Sequence, residues 1–235
     1  MELFRDDPTL VVRLVQRAFD ATLTPMPERL VDRHANLSVD AAQLRRVDPR
    51  TADLVLIVRN PKHPSGGAVI IVEVQIGDDP DKLERIASYL GVLIDREHLP
   101  IHIGTVALED RVARKLDTWS FGTAVTISTF VLDRHTVPPL INPQQARKYS
   151  QEAVLSAAIH GHRGNLEPVR VALQAVGHLG EDRRRRYTAT ILAALSNEDF
   201  TICVKELPMN RRVEISRIER RSAFFVHGLE EGTRK

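Results

Sequence analysis

Ala68-Val-Ile-Ile-Val-Glu-Val-Gln-Ile76 is the stretch on which the reading of this chain turns. A run of β-branched and aliphatic residues reads as a strand buried on both faces. Such a strand has no structural need of Glu73 or Gln75. A carboxylate in apolar surroundings costs several kcal/mol unless it is paired, protonated or bound to a metal. Alternation puts Glu73 and Gln75 on one face of the strand and Val72, Val74 and Ile76 on the other. A second acid, Asp53, opens the preceding apolar run, Leu54-Val-Leu-Ile-Val58. Asp53, Glu73 and Gln75 are therefore expected to form a metal site.

Working outward, residues 52–59 and 68–76 are two strands separated by Asn60-Pro-Lys-His-Pro-Ser-Gly-Gly67, which is turn chemistry throughout. The pair is expected to be an antiparallel hairpin with a longish loop. Asp79 as cap and Pro80 at the first position predict a helix. Its apolar stripe is Leu83, Ile86, Ala87, Leu90, Leu93 and Ile94, and Pro100 ends it. A strand over 101–108, a short helix over 111–116 and a β-branched strand over 123–132 follow. Upstream, Asp7 and Pro8 start a helix over 7–20, a shorter helix precedes it, and residues 30–39 contain a short strand. Strand, strand, helix, strand, helix, strand is an α/β order.

Pro138-Pro-Leu-Ile-Asn-Pro143 marks the expected boundary between a core of residues 1–140 and a helical extension of residues 141–235. Helices are expected over 150–160, 166–178 and 183–196. Residues 211–231, alternating arginine, glutamate and aliphatic side chains, read as a helix exposed on one side that contacts a protein partner.

Composition bounds the alternatives. Hydrophobic residues make up 43% and charged residues 27% of the 235, which argues against wholesale disorder. The net charge of +2 makes no demand for a nucleic-acid partner. One cysteine, Cys203, excludes an internal disulfide and a cysteine zinc site within the chain. No apolar stretch approaches the roughly 18–20 residues of a membrane span. Met-Glu-Leu-Phe-Arg-Asp-Asp at the start has acids where a secretory signal is basic and then apolar, so the expected location is cytoplasmic.

Two acids from adjacent strands make a hard-oxygen site. Magnesium takes one or two carboxylates and keeps waters for substrate oxygens, and such an ion can activate water and neutralise charge on a phosphate. Asp53, and twenty residues on Glu73-Val-Gln75, on a hairpin followed by an amphipathic helix and another strand, resembles the PD-(D/E)XK nuclease superfamily. More narrowly, the chain is similar to the branch of recombination-promoting nucleases and transposase-related proteins with their bacterial relatives. Ala52-Asp53-Leu-Val-Leu, Val72-Glu-Val-Gln75, Asp79-Pro-Asp-Lys82, Glu2-Leu-Phe-Arg, Pro143-Gln-Gln-Ala-Arg147 and Ala153-Val-Leu-Ser-Ala-Ala-Ile-His-Gly161 carry the resemblance, which covers most of residues 1–195.

The resemblance implies a restriction-endonuclease-like core, a central mixed sheet flanked by helices, and a metal-dependent DNA endonuclease linked to recombination or mobile elements. Asp53 and Glu73 would be the Mg2+ or Mn2+ ligands, and Glu2 would match an acid that some members contribute from the first helix. Gln75 stands where the superfamily has its catalytic lysine, and Lys82 either replaces that charge from the helix or is a solvated residue of its first turn. Thr51-Ala52 stands where the superfamily has the proline of its first motif. DNA is the implied partner, and members that cut both strands often act as dimers.

Plainer readings stand beside these. Asp53 can cap a turn. Glu73 can form a buried ion pair with an arginine such as Arg50. Arg183-Arg-Arg-Arg186 reads as a solvated helix start, His160-Gly-His162 as a loop, and Trp119, Phe121, Phe224 and Phe225 as core or interface. The second function class is a nuclease-fold protein that no longer cuts and serves as a DNA-binding or protein-interaction module. A small-molecule enzyme has no support, because the chain has neither a glycine-rich dinucleotide turn nor a nucleophile, base and orienter set.

Overall fold

The computed structural model describes residues 2–7, 9–19, 30–33, 36–37, 50–51, 53–59, 66–77, 79 and 81–207. Several sequence expectations lie outside them: Pro8, Ser65, Pro80, the helix over 211–231, Phe224 and Phe225. So do the side chains of Glu2 and Arg50. The chain divides into two compact units, Met1–Pro138 and Pro139–Lys235.

The first unit is α/β. Its described elements are α1 (Glu2–Asp6), α2 (Leu10–Phe19), β1 (Leu30–Arg33), β2 (Asn36–Leu37), β3 (Arg50–Thr51), β4 (Leu54–Arg59), β5 (Gly67–Gln75), α3 (Lys82–Glu97), β6 (Ile101–Ala107), α4 (Asp110–Asp117), β7 (Thr118–Phe121), β8 (Val125–Ser128) and β9 (Phe130–Leu132). Five strands form one mixed sheet in the order β1-β4-β5-β6-β9. The β4–β5 hairpin is antiparallel, with Leu54 opposite Val72. The pairs β5–β6 and β6–β9 are parallel, with Glu73 opposite Thr105. That change of direction follows from the connections. Residues 60–66 separate the antiparallel strands β4 and β5, whereas a helix carries the chain from β5 to β6, as a parallel pair requires.

β5 is buried along almost its whole length because helices cover both faces. On one face Val69 and Ile71 pack with Val55, Ile57 and Ile103 against Ile86, Tyr89 and Leu93 of α3. Trp119 and Ile127 of the β7–β8 hairpin join the same cluster. The opposite face receives α2, whose Leu10, Val11, Leu14 and Val15 are buried. Gly104 of β6 allows this approach, since a Cβ there would stand 3.0 Å from the Val11 side chain. Asp7 precedes α2 and accepts the Thr9 N–H at 3.2 Å and Arg13 at 2.8 Å. Burial works against the Asp7 charge, yet the hydrogen bonds from Arg13 and Thr9 win and hold its carboxyl below the usual range.

Four expectations are corrected. The strand over 123–132 is two strands: β8 pairs with β7 in a separate hairpin and β9 joins the main sheet. Thr129 makes the break, because its hydroxyl donates to the Leu116 carbonyl at 2.6 Å and lies 3.1 Å from the Thr105 hydroxyl. The cap position of α3 falls on Asp81, whose side chain makes no cap bond, and Asp79, two residues earlier, accepts the Asp81 N–H at 3.1 Å and pairs with Arg85. Ile94 is 60% exposed, so the buried stripe of α3 is Ile86, Tyr89 and Leu93. His160 and Gly161 are the last residues of a helix rather than a loop.

The second unit is helical: α5 (Pro143–Lys148), α6 (Ser150–Gly161), α7 (Leu166–Val176), α8 (Glu181–Ala193) and α9 (Asn197–Glu206). Asn142, Asn165 and Ser196 cap α5, α7 and α9 with side-chain oxygens. α6 is buried nearly all round, as the central helix of a bundle must be. Gly161 ends it where a Cβ would stand 2.6 Å from both Val169 and Leu195. Arg183 to Arg186 occupy the first turns of α8, with Arg183 exposed and the other three half-buried.

Candidate functional site

The face of β5 that packs on α3 carries Glu73, two residues beyond Ile71. Its side chain is 1% exposed. Two residues of α3 reach it. Lys82, the first residue of the helix, donates from Nζ to Glu73 Oε2 at 2.5 Å. Tyr89 donates its hydroxyl to Glu73 Oε1. Lys82 and Tyr89 are seven residues apart, two helical turns, and so lie one above the other on the face that meets the sheet.

Asp53 stands just before β4, next to the end of β5 in the hairpin. Its Oδ2 accepts the backbone N–H of Val74 at 2.9 Å and lies 3.8 Å from Lys82 Nζ. Asp53 and Glu73, brought together by the β4–β5 register, therefore share one cation. The site is graded in depth: the Glu73 side chain is 1% exposed, that of Lys82 13% and that of Asp53 35%.

Burial raises the Glu73 carboxyl above its usual range, and the Asp53 charge adds to that. Lys82 and Tyr89 oppose the shift, but burial prevails. Tyr89 is itself buried and faces the Glu73 carboxylate, so its hydroxyl is held far from ionisation and serves as a donor only.

Lys82 is thus not the solvated residue that the plainer reading of the sequence expects. Its charge is drawn into the sheet by Glu73, whose burial leaves no water to solvate the carboxylate. The buried ion pair that the plainer reading allows Glu73 is made with Lys82, and the Arg50 side chain lies outside the described residues. Gln75 is buried, and its Nε2 donates to the Gly77 carbonyl at 2.5 Å, which ties the end of β5 to the following turn. Tyr89 is the residue that sequence reasoning missed. Its helical spacing from Ile86 and Leu93 was a signal that it belongs to the buried stripe.

The two carboxylates fit a hard divalent cation in kind, since their oxygens converge on one point that holds positive charge. Among the described residues, no group of three or more His, Cys, Asp or Glu side chains could hold a metal ion. No described helix is long and apolar enough to cross a membrane. Comparison with family models, with curated proteins and with solved structures finds no match to this chain.

Proposed function

We propose that this chain is a metal-dependent phosphodiester hydrolase of nuclease type, with a restriction-endonuclease-like core acting on DNA. The observation that carries the reading is the convergence of Asp53 and Glu73 on one cationic centre, with the helix that follows β5 supplying Lys82. Asp53 and Glu73 would hold Mg2+ or Mn2+, which when bound supplies positive charge and a polarised water. Lys82 brings a charge that Gln75 lacks, and brings it to the place where phosphate oxygens would lie. Tyr89 holds Glu73 by one oxygen and leaves the other for the cation. Val74 fixes Asp53 through its backbone N–H.

Supercoiled plasmid incubated with Mg2+ or Mn2+ tests this reading. The wild-type protein should nick it, and Asp53→Ala should not. Intact plasmid in both reactions, with DNA still bound, would overturn the proposal. That outcome selects the second reading, a nuclease-fold protein that binds DNA without cutting. It too has an observation in its favour: Lys82 already compensates the Glu73 carboxylate, while Gln75 is engaged by the backbone.

A further inference from the structure

We infer that Lys82 and a divalent cation compete for the same carboxylate oxygens, so that the ammonium is a resident occupant that a metal must displace. The inference rests on the proposed reading in which Asp53 and Glu73 bind a divalent ion.

Glu73 has two oxygens, and each has a partner. Tyr89 takes Oε1 and Lys82 takes Oε2 at 2.5 Å. Asp53 Oδ2, which already accepts from Val74, is the oxygen that Lys82 approaches at 3.8 Å. A metal held by both acids would meet the ammonium at Glu73 Oε2, the oxygen that Tyr89 does not take. Metal–oxygen distances for Mg2+ are about 2.0–2.1 Å. An ammonium and a metal on the same Glu73 oxygen would be close neighbours, and like charges that close, with Glu73 out of water, repel strongly.

Lys82 is also suited to leave. It opens α3, where the helix dipole disfavours a cation, so the carboxylates are what keep it there. Its flexible stem can swing the charge toward water without unwinding the helix, and the half-exposed Asp53 lies on the solvent side. Without metal the ammonium compensates the charge of Glu73. When metal arrives, the ammonium is released at the mouth of the site, where an incoming phosphate would meet it.

Two measurements on the full chain test the inference. In the first, an amine-acylating reagent is applied to the wild-type protein with and without Mn2+, and labelling is read by mass spectrometry. Labelling of Lys82 should rise several-fold with Mn2+, while the exposed Lys115, Lys148 and Lys205 stay unchanged. In the second, Mn2+ binding is followed by electron paramagnetic resonance. Lys82→Met, checked for folding by circular dichroism, should bind Mn2+ about tenfold or more tightly than wild type. Equal or weaker affinity in the folded variant, or an unchanged Lys82 label at saturating Mn2+, overturns the inference. The labelling experiment needs no variant, so it decides the matter even if Lys82→Met does not fold. Mn2+ binding that exposes Lys82 without plasmid nicking leaves the inference standing and removes the nuclease reading. Nicking with Lys82 still protected does the reverse. No Mn2+ binding by either protein removes both.

Discussion

Two ion pairs of nearly equal length occupy opposite environments. Lys82 and Glu73, in the α/β unit, meet at 2.5 Å with side chains 13% and 1% exposed. Arg170 of α7 and Glu206 of α9, in the helical unit, meet at 2.6 Å with side chains 46% and 43% exposed. The two carboxyls respond in opposite directions. The hydrogen bond from Arg170 lowers that of Glu206, whereas burial raises that of Glu73 in spite of its lysine. Distance is therefore a poor measure of what a pair does. The water that each group has given up decides both its energy and its titration.

The largest test of this contrast is to remove one buried partner. Lys82→Met should destabilise the protein by about 3–5 kcal/mol in chemical denaturation, because an uncompensated carboxylate stays behind in the core. The loss should grow with pH, as protonation of Glu73 is the escape open to the variant. Tyr89→Phe should cost less, about 1.5–3 kcal/mol, since it removes one hydrogen bond to a charged acceptor and almost no volume. An unchanged unfolding midpoint in Tyr89→Phe would mean that Glu73 is held by the lysine alone.

A third test uses pH. A carboxyl whose pKa is raised on folding contributes stability below its ordinary value, here 4.5. That contribution is lost as pH rises toward the folded value. Wild type should thus lose stability relative to Glu73→Gln as pH is raised from 4.5. Glu206, whose carboxyl is lowered, should behave oppositely, losing its contribution as pH falls below 4.5. A wild type that gains on Glu73→Gln as pH rises would show that the lysine outweighs burial. The smallest effect is expected at the exposed pair. Arg170→Gln should leave the melting temperature unchanged within error at physiological salt, because water and ions already screen that pair.

Much of the α/β unit was legible in the residues. The hairpin, α3 and β6 follow from apolar runs and turn chemistry, which act over a few neighbouring residues. The single strand expected over 123–132 failed because Thr129 is β-branched like its neighbours, and only its contacts with Leu116 and Thr105 show that the chain turns there. At the site, Asp53 and Glu73 stood out as acids against apolar runs. Tyr89 did not, since an aromatic residue on a helix facing a sheet reads as core until its hydroxyl is seen to meet a carboxylate. Lys82 reads from the sequence in two ways, as a charge standing in for the one Gln75 lacks or as a solvated residue of the first turn, and only its contact with Glu73 shows that it is not solvated.

From its residues alone, this chain had to place a carboxylate inside a strand with no water to solvate it, beside a second acid one hairpin register away. Those features are local, and the alternation of side chains along a strand settles them. Which group would answer that charge was decided by tertiary structure. The approach of α3 to the face of β5 brings a lysine and a tyrosine, nine and sixteen residues along the chain, onto the two oxygens of Glu73. Neither partner can be read from spacing, because a contact across a loop and two elements depends on how a helix lies on a sheet.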